Sequence, residues 1–195
     1  MRTIAGRRHP TSGDSPRTVR SARRGFTLIE TALATVIVGV GVLAMISAQQ
    51  AFHQKNLWST QASIAMRLGN EIRELTLNMP RFDPVAGPET WGPESNETAL
   101  DAFDDLDDFD GEDGEGTVFS ASLGNGPISS RREVIPNMEG WSQTVRVFNV
   151  EQFDTTDEVE DGTTAFVKVE VTIHFQGPND EEPIEMTKVS WLASK

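Results

Sequence analysis

The segment Arg23-Arg24-Gly25-Phe26-Thr27-Leu28-Ile29-Glu30 joins a basic N-terminal region to an apolar run that extends to about Ala48. Between Phe26 and Ala48 the only charged residue is Glu30. As a helix with a rise of 1.5 Å per residue, this stretch measures ~34 Å, which exceeds the ~30 Å hydrocarbon core of a bilayer. The sequence therefore predicts a membrane-spanning helix near the N-terminus.

The apolar run differs from that of a secretory signal peptide, which measures only ~7–15 residues and ends at a small-residue cleavage site. Ser47-Ala48-Gln49 lacks the A-x-A pattern of such a site, and Gly25 precedes the apolar run instead of following it. We therefore expect the apolar helix to remain part of the mature protein.

Glu30 is an unusual residue for a membrane helix. A carboxylate within the bilayer is costly unless it is paired, so such residues are candidates for function. Alternatively, Glu30 lies only about one turn inside the membrane and reaches the headgroups. The residue alone leaves both interpretations open.

The order of basic leader, Gly25, Phe26, Thr27-Leu28-Ile29-Glu30 and apolar helix resembles the type III signal peptide of type IV prepilins and type II secretion pseudopilins. The resemblance implies that a prepilin peptidase cuts between Gly25 and Phe26 and that the new amino group of Phe26 is methylated. It also implies that Glu30 neutralises the amine of a neighbouring subunit during assembly. This role agrees with the strong attraction between opposite charges at low dielectric.

Charge is distributed unevenly along the chain. Residues 1–25 contain seven Arg and one Asp, a net charge of +6, and the whole chain carries −13, so the remaining residues carry −19. A basic flank keeps its end of a membrane helix in the cytoplasm. We therefore expect a single-pass membrane protein with its C-terminal domain outside, and the resemblance implies that the membrane is the bacterial inner membrane. The acidic product is unsuited to nucleic acid, and the chain has no cysteine for disulfides.

The helix is predicted to continue beyond the membrane. Apolar residues recur with spacings of three and four at Trp58, Ala62, Ala65, Leu68, Ile72, Leu75 and Met79. This is the period of an amphipathic helix, and Pro80 ends it. We expect one helix over residues 26–79, with two helices broken near residues 49–54 as the alternative.

An acidic segment follows, in which nine of the sixteen residues from Asp101 to Gly116 are Asp or Glu. Such a run is usually a solvated loop. Clustered carboxylates also suit Ca²⁺, for which the candidate ligands are Asp104, Asp105, Asp107, Asp108 and Asp110, although their spacing does not match an EF-hand. Phe103, Leu106 and Phe109 recur three apart and indicate that one edge of the segment packs onto the domain.

The remainder of the chain has the pattern of β-strands. Strands are predicted at residues 117–123, 141–150, 165–175 and 183–192, separated by turn signals such as Gly124-Asn125-Gly126-Pro127. The third has Val167, Val169, Val171 and Ile173 on one face. Alternating strands of this kind predict an antiparallel meander with one packed face, and the amphipathic helix from Trp58 to Met79 is its expected cover.

These features predict an α+β, pilin-like fold in which a long N-terminal helix packs on an antiparallel sheet. The expected parts are the leader at 1–25, the membrane helix at 26–49, the amphipathic helix at 50–79, a variable acidic loop region at 80–125 and the sheet of the globular head at 126–195. The order of strands resembles PilV-like minor pilins and the minor pseudopilins of type II secretion.

A structural subunit of a type IV pilus or type II secretion-like filament is the function that this resemblance implies, with prepilin peptidase, other pilin subunits and the inner membrane as partners. His9, His53 and His174 are isolated, and the chain lacks catalytic motifs, so we do not expect an enzyme. The alternative is a single-pass membrane-anchored extracytoplasmic binding domain.

Overall fold

The computed structural model describes residues 25–83, 85, 87, 90–111 and 114–193. The predicted leader, apart from Gly25, lies outside these residues. The chain divides into two compact units, Met1–Gln50 and Ala51–Lys195, and each is described by itself.

Helix α1 runs from Leu28 to Thr76 as a single helix, in agreement with the one-helix prediction. It begins two residues later than predicted because Thr27 caps it. It ends three residues earlier because residues 77–79 form a turn that leads into Pro80. The Thr76 hydroxyl donates to the Ile72 carbonyl at 2.9 Å in the last turn.

In the first unit, the α1 residues 28–50 are all exposed. Most of these exposed side chains are apolar, including Leu33, Val36, Ile37 and Leu43. By length and composition, α1 is able to cross a membrane. An apolar surface on every side of a helix is typical of contact with lipid or with other helices.

In the second unit, five strands form one antiparallel sheet: β1 Thr117–Ser120, β2 Trp141–Val150, β3 Glu158–Val159, β4 Val167–Phe175 and β5 Ile184–Leu192. Their order is β1-β2-β4-β5, and β3 pairs with β2. The prediction for β2 is confirmed in both bounds, and β4 and β5 begin within two residues of theirs. The pairing of Val145 with Val171, and of Val171 with Val189, aligns the apolar faces of the three long strands.

Strand β1 is shorter than predicted, because the chain turns after Ser120. Asn125 Oδ1 accepts a hydrogen bond from the Ser120 N–H at 2.9 Å, and Ser120 Oγ accepts one from the Leu123 N–H at 3.2 Å. These local bonds compete with strand pairing. The two-residue strand β3 was not predicted, since it is too short for an alternating pattern.

The core lies between α1 and the sheet, as predicted. Ala65, Leu68 and Ile72 are fully buried, and they belong to the same cluster as the inward-facing valines of β2 and β4. Helix and sheet approach closely at Gly69, where a Cβ atom would lie 3.0 Å from Val189 Cγ2.

The helix segment predicted to pack on the sheet, Trp58 to Met79, was too long at its N-terminal end. Trp58 and Ala62 are exposed in this unit, although both fit the apolar period. The core contact begins near Ile64, which is partly buried. The period of the sequence therefore locates the apolar face of the helix but not the residue at which its contact with the sheet begins.

Gln143 is a fully buried polar residue of β2 that connects the sheet to two other elements. Its Oε1 accepts a hydrogen bond from the Ile128 N–H at 2.7 Å. Its Nε2 donates to the Leu68 carbonyl of α1 at 3.0 Å and to the Ile128 carbonyl at 3.1 Å. The amide is therefore satisfied within an otherwise apolar core, as buried polar groups generally are.

Candidate functional site

The N-terminal candidate site consists of the residues that lead into α1. Gly25, Phe26 and Glu30 are all exposed, and Phe26 exposes 80% of its surface. Gly25 and Phe26 precede the first helical residue, Leu28. The bond between them therefore lies in non-helical backbone.

Thr27 is the N-cap of α1. Its Oγ1 accepts a hydrogen bond from the Glu30 N–H at 3.3 Å, and its carbonyl accepts one from the Thr31 N–H at 3.1 Å. Capping by threonine satisfies one of the free N–H groups of the first turn. Thr27 and Glu30 have the T-x-x-E spacing of a capping box, so this helix start was readable from the sequence.

Glu30 occupies the first turn of the helix. A carboxylate here is favourably placed, because the N-terminus of a helix carries a partial positive charge. Among the residues that the structure describes, the Glu30 carboxylate has no hydrogen-bond or ion-pair partner.

The second candidate site is in the acidic segment, and the structure buries much of it. Phe103, Leu106 and Phe109 are all buried, which confirms that one edge of the segment packs onto the domain. Residues Asp107–Asp110 form a 3-10 helix. Phe109 lies in this helix and Leu106 is its N-cap, whereas Phe103 precedes it. Burial of the three apolar side chains carries the adjacent aspartates inward.

The carboxylates gather into an acidic cluster, which we define as Glu94, Glu97, Asp104, Asp105 and Asp108. Glu94, Glu97 and Asp108 each offer an oxygen within 4.8 Å of the others, and Asp104, Asp105 and Asp108 do the same. Asp108 belongs to both groups. The burial differs within the cluster: Glu97, Asp105 and Asp108 are buried, Glu94 is half-buried and Asp104 is exposed.

Backbone hydrogen bonds fix the orientation of Asp108. Its Oδ2 accepts bonds from the N–H groups of Asp104 at 2.8 Å and Asp105 at 3.2 Å. Its Oδ1 is buried without a hydrogen-bond partner in the described part of the chain, as is Oδ1 of Asp107. A buried carboxylate oxygen without a partner loses its hydration without compensation.

Burial and mutual proximity shift the pKa values of these groups. Burial, and then contact with Asp105, raises the pKa of Asp107 to about 9. Burial raises the pKa of Asp108 to about 7 and also raises the pKa of Asp105. Contact with Glu97 raises the pKa of Glu94, whereas the same contact lowers the pKa of Glu97. The protein alone therefore compensates these negative charges poorly.

Asp110 has a different environment from the cluster. Its Oδ2 accepts a hydrogen bond from Trp91 Nε1 at 3.1 Å, and its Oδ1 accepts one from the Val147 N–H at 3.2 Å. Oδ1 thus joins the acidic segment to strand β2, and Oδ2 joins it to the loop that contains Trp91.

The structure brings together three of the five aspartates that the sequence singled out as metal ligands, Asp104, Asp105 and Asp108. It also adds Glu94 and Glu97, which sequence reasoning missed. These two glutamates precede the dense acidic run, and no spacing rule connects them to Asp108. Only the folded loop brings these two glutamates close to Asp108. In that loop the Glu97 N–H donates to the Glu94 carbonyl at 2.8 Å.

Comparison with known families finds a match at the N-terminus. Residues 20–46 match the prokaryotic N-terminal methylation motif. No curated protein and no solved structure shows significant similarity to the chain. The matched motif indicates a pilin- or pseudopilin-like structural subunit that is processed by prepilin peptidase. This motif leads into one long helix packed on an antiparallel sheet, an arrangement consistent with a pilin-like α+β fold.

Proposed function

We propose that this protein is a minor pilin or pseudopilin, a structural subunit that enters a type IV pilus or type II secretion-like filament through its N-terminal helix. The observation that carries the proposal is the methylation motif at residues 20–46, placed at the start of a helix whose residues 28–50 expose an apolar surface. In a filament, that surface would pack against the helices of other subunits.

Processing is the first step of the proposed function. Prepilin peptidase cuts the peptide bond between Gly25 and Phe26, and the amino group of Phe26 is then methylated. The cytoplasmic side of the membrane is the expected place, because the seven arginines of residues 1–25 retain that end inside. The acidic second unit is then outside the inner membrane.

Assembly is the second step, and Glu30 is its proposed residue. The N–H of Glu30 is capped by Thr27 Oγ1, so the side chain is not required for the cap. Its carboxylate pairs with the Phe26 amine of a neighbouring subunit. Each charge offsets the desolvation of the other in the membrane, where an unpaired carboxylate is costly.

The test of processing is the N-terminal residue and mass of the full chain, extracted from membranes with and without co-expressed prepilin peptidase. We expect N-methyl-Phe26 only when the peptidase is present. Gly25→Val should abolish cleavage without disturbing the fold, because a Cβ at Gly25 meets no atom of the described residues within 4 Å. Gly41→Val, where a Cβ also meets no atom within 4 Å, is the matched control and should be cleaved normally.

A leader that persists in the presence of peptidase would contradict the proposal. If that uncleaved protein were also monomeric in the membrane, the chain would instead be a single-pass membrane-anchored extracytoplasmic binding domain.

The test of assembly uses Glu30→Ala, with filament incorporation measured by cross-linking to neighbouring subunits. We expect cleavage to remain nearly intact and incorporation to fall. Glu74→Ala is the control, since Glu74 is an exposed glutamate of the same helix. Normal incorporation of Glu30→Ala would refute the pairing of Glu30 with an amine.

A further inference from the structure

We propose that the acidic cluster binds one Ca²⁺ ion, which joins the loop at Glu94 and Glu97 to the segment that contains Asp104, Asp105 and Asp108. The inference does not rest on the proposed function, because every ligand lies in the second unit, outside the methylation motif. It is carried by the donor set, by the spacing of the oxygens and by the burial of Asp108.

The donor set selects the class of cation. All five members of the cluster offer carboxylate oxygens, and neither imidazole nor thiolate takes part. Oxygen donors of this kind suit hard cations such as Ca²⁺ and Mg²⁺, whereas zinc and copper sites use nitrogen or sulfur.

The spacing of the oxygens fits one ion. Ca²⁺ binds oxygen at 2.3–2.6 Å, so ligands on opposite sides of the ion lie ~4.6–5.2 Å apart. The oxygens of Glu94, Glu97 and Asp108 all lie within 4.8 Å of one another, and those of Asp104, Asp105 and Asp108 do too. Asp108 is the residue that the two groups share, so an ion bound at its carboxylate would lie next to both groups.

Calcium fits this site better than magnesium. Mg²⁺ requires near-octahedral geometry at 2.0–2.1 Å and keeps most of its waters, whereas Ca²⁺ accepts six to eight oxygens in a flexible arrangement. Five carboxylates contributed by two loop segments match the flexible, oxygen-rich coordination of Ca²⁺. The exposed Asp104 and the half-buried Glu94 leave a side of the site open for entry and for bound water.

Burial of Asp108 is an independent indication of a ligand. Asp108 has no exposed surface, and its Oδ1 has no hydrogen-bond partner among the described residues. The ion pairs that the structure describes are Arg146 with Glu158 and Lys188 with Glu170, and neither involves the cluster. A bound cation would supply the charge that this buried carboxylate lacks.

A purely solvated acidic loop does not account for this arrangement. Carboxylates that repel one another in water remain exposed, as Asp101 does. Asp105 and Asp108 expose 1% and 0% of their surface. The buried side chains of Phe103, Leu106 and Phe109 bring these charges inward. The ion would neutralise the charges and so offset the cost of burying them.

The test is Ca²⁺ binding by the full chain, purified in detergent and stripped with EDTA, measured by isothermal titration calorimetry. We expect one Ca²⁺ per chain, bound at least tenfold more tightly than Mg²⁺. Asp108→Asn should weaken Ca²⁺ binding at least tenfold, while its amide oxygen still accepts the bonds from Asp104 and Asp105. Asp101→Asn removes the same charge from an exposed residue of the same segment and should bind as the wild type does.

Either of two results with the wild type and the aspartate variants would overturn the proposal. One is no Ca²⁺ binding by the wild type at millimolar concentration, and the other is equal weakening by Asp101→Asn and Asp108→Asn, which would indicate diffuse attraction. Glu97→Gln provides a second variant on the other loop. If Asp108→Asn does not fold by near-ultraviolet circular dichroism, unchanged binding by a folded Glu97→Gln protein would also overturn it.

Discussion

Replacement of Gln143 by methionine tests the hydrogen bonds that join the sheet to its surroundings. Met resembles Gln in length and flexibility, so Gln143→Met removes the amide with little change in volume. The Ile128 N–H, fully buried, then loses its 2.7 Å bond, and the Ile128 carbonyl loses its 3.1 Å bond. The Leu68 carbonyl keeps its partner within α1.

The expected loss of stability follows from these two unsatisfied groups. Each buried donor or acceptor without a partner costs ~1–3 kcal/mol, and the Gln amide no longer has to be desolvated, so we expect a net loss of about 3 kcal/mol. For a protein of this size, that lowers Tm by roughly 6–12 °C. Thermal unfolding of the full chain in detergent, followed by near-ultraviolet circular dichroism, measures the shift.

The matched control is Gln54→Met, an exposed glutamine of α1, which should change stability by less than about 0.5 kcal/mol. If Gln143→Met were as stable as Gln54→Met, the amide of Gln143 would not be a structural connection, and the reasoning from buried polar groups would fail here.

Three other predictions use the same unfolding assay. Leu68→Ala should destabilise the protein by about 3–5 kcal/mol because Leu68 is fully buried, whereas the exposed Leu57→Ala should have little effect; similar values for the two would contradict the helix-on-sheet packing. Gly116→Ala should destabilise more than Gly124→Ala: both residues have positive φ, but only at Gly116 would the Cβ approach another atom, the Val145 carbonyl oxygen, to 2.4 Å. Saturating Ca²⁺, at about 100 times its Kd, should add about 2.7 kcal/mol and raise Tm by roughly 5–11 °C; a shift of the same size in Asp108→Asn would argue against the site.

The elements with regular apolar periods were predictable from the sequence. The alternation of Val167, Val169, Val171 and Ile173 identified β4 because every second residue of a strand faces the core. The period of three and four identified α1, and Pro80 indicated where it stops.

The acidic cluster was only partly predictable, because its members come from different loops. A short-range pattern identified the aspartates near Asp108 but could not select among them, since selection depends on which side chains the anchors Phe103 and Phe109 carry inward. Glu97 and Gln143 were missed for the same reason. The burial of Gln143 depends on a hydrogen-bond partner that is distant in sequence, the Leu68 carbonyl.

Strand β5 is the last strand of the sheet, so one of its two backbone edges has no partner among the strands that the structure describes. An edge of nine residues is a template on which another chain can add a strand. It carries two charged side chains, Glu185 and Lys188, and Lys188 pairs with Glu170 at 2.8 Å. Such charges oppose uncontrolled edge-to-edge pairing when many copies of a domain are crowded together, and their removal would be expected to favour aggregation before it affects the fold.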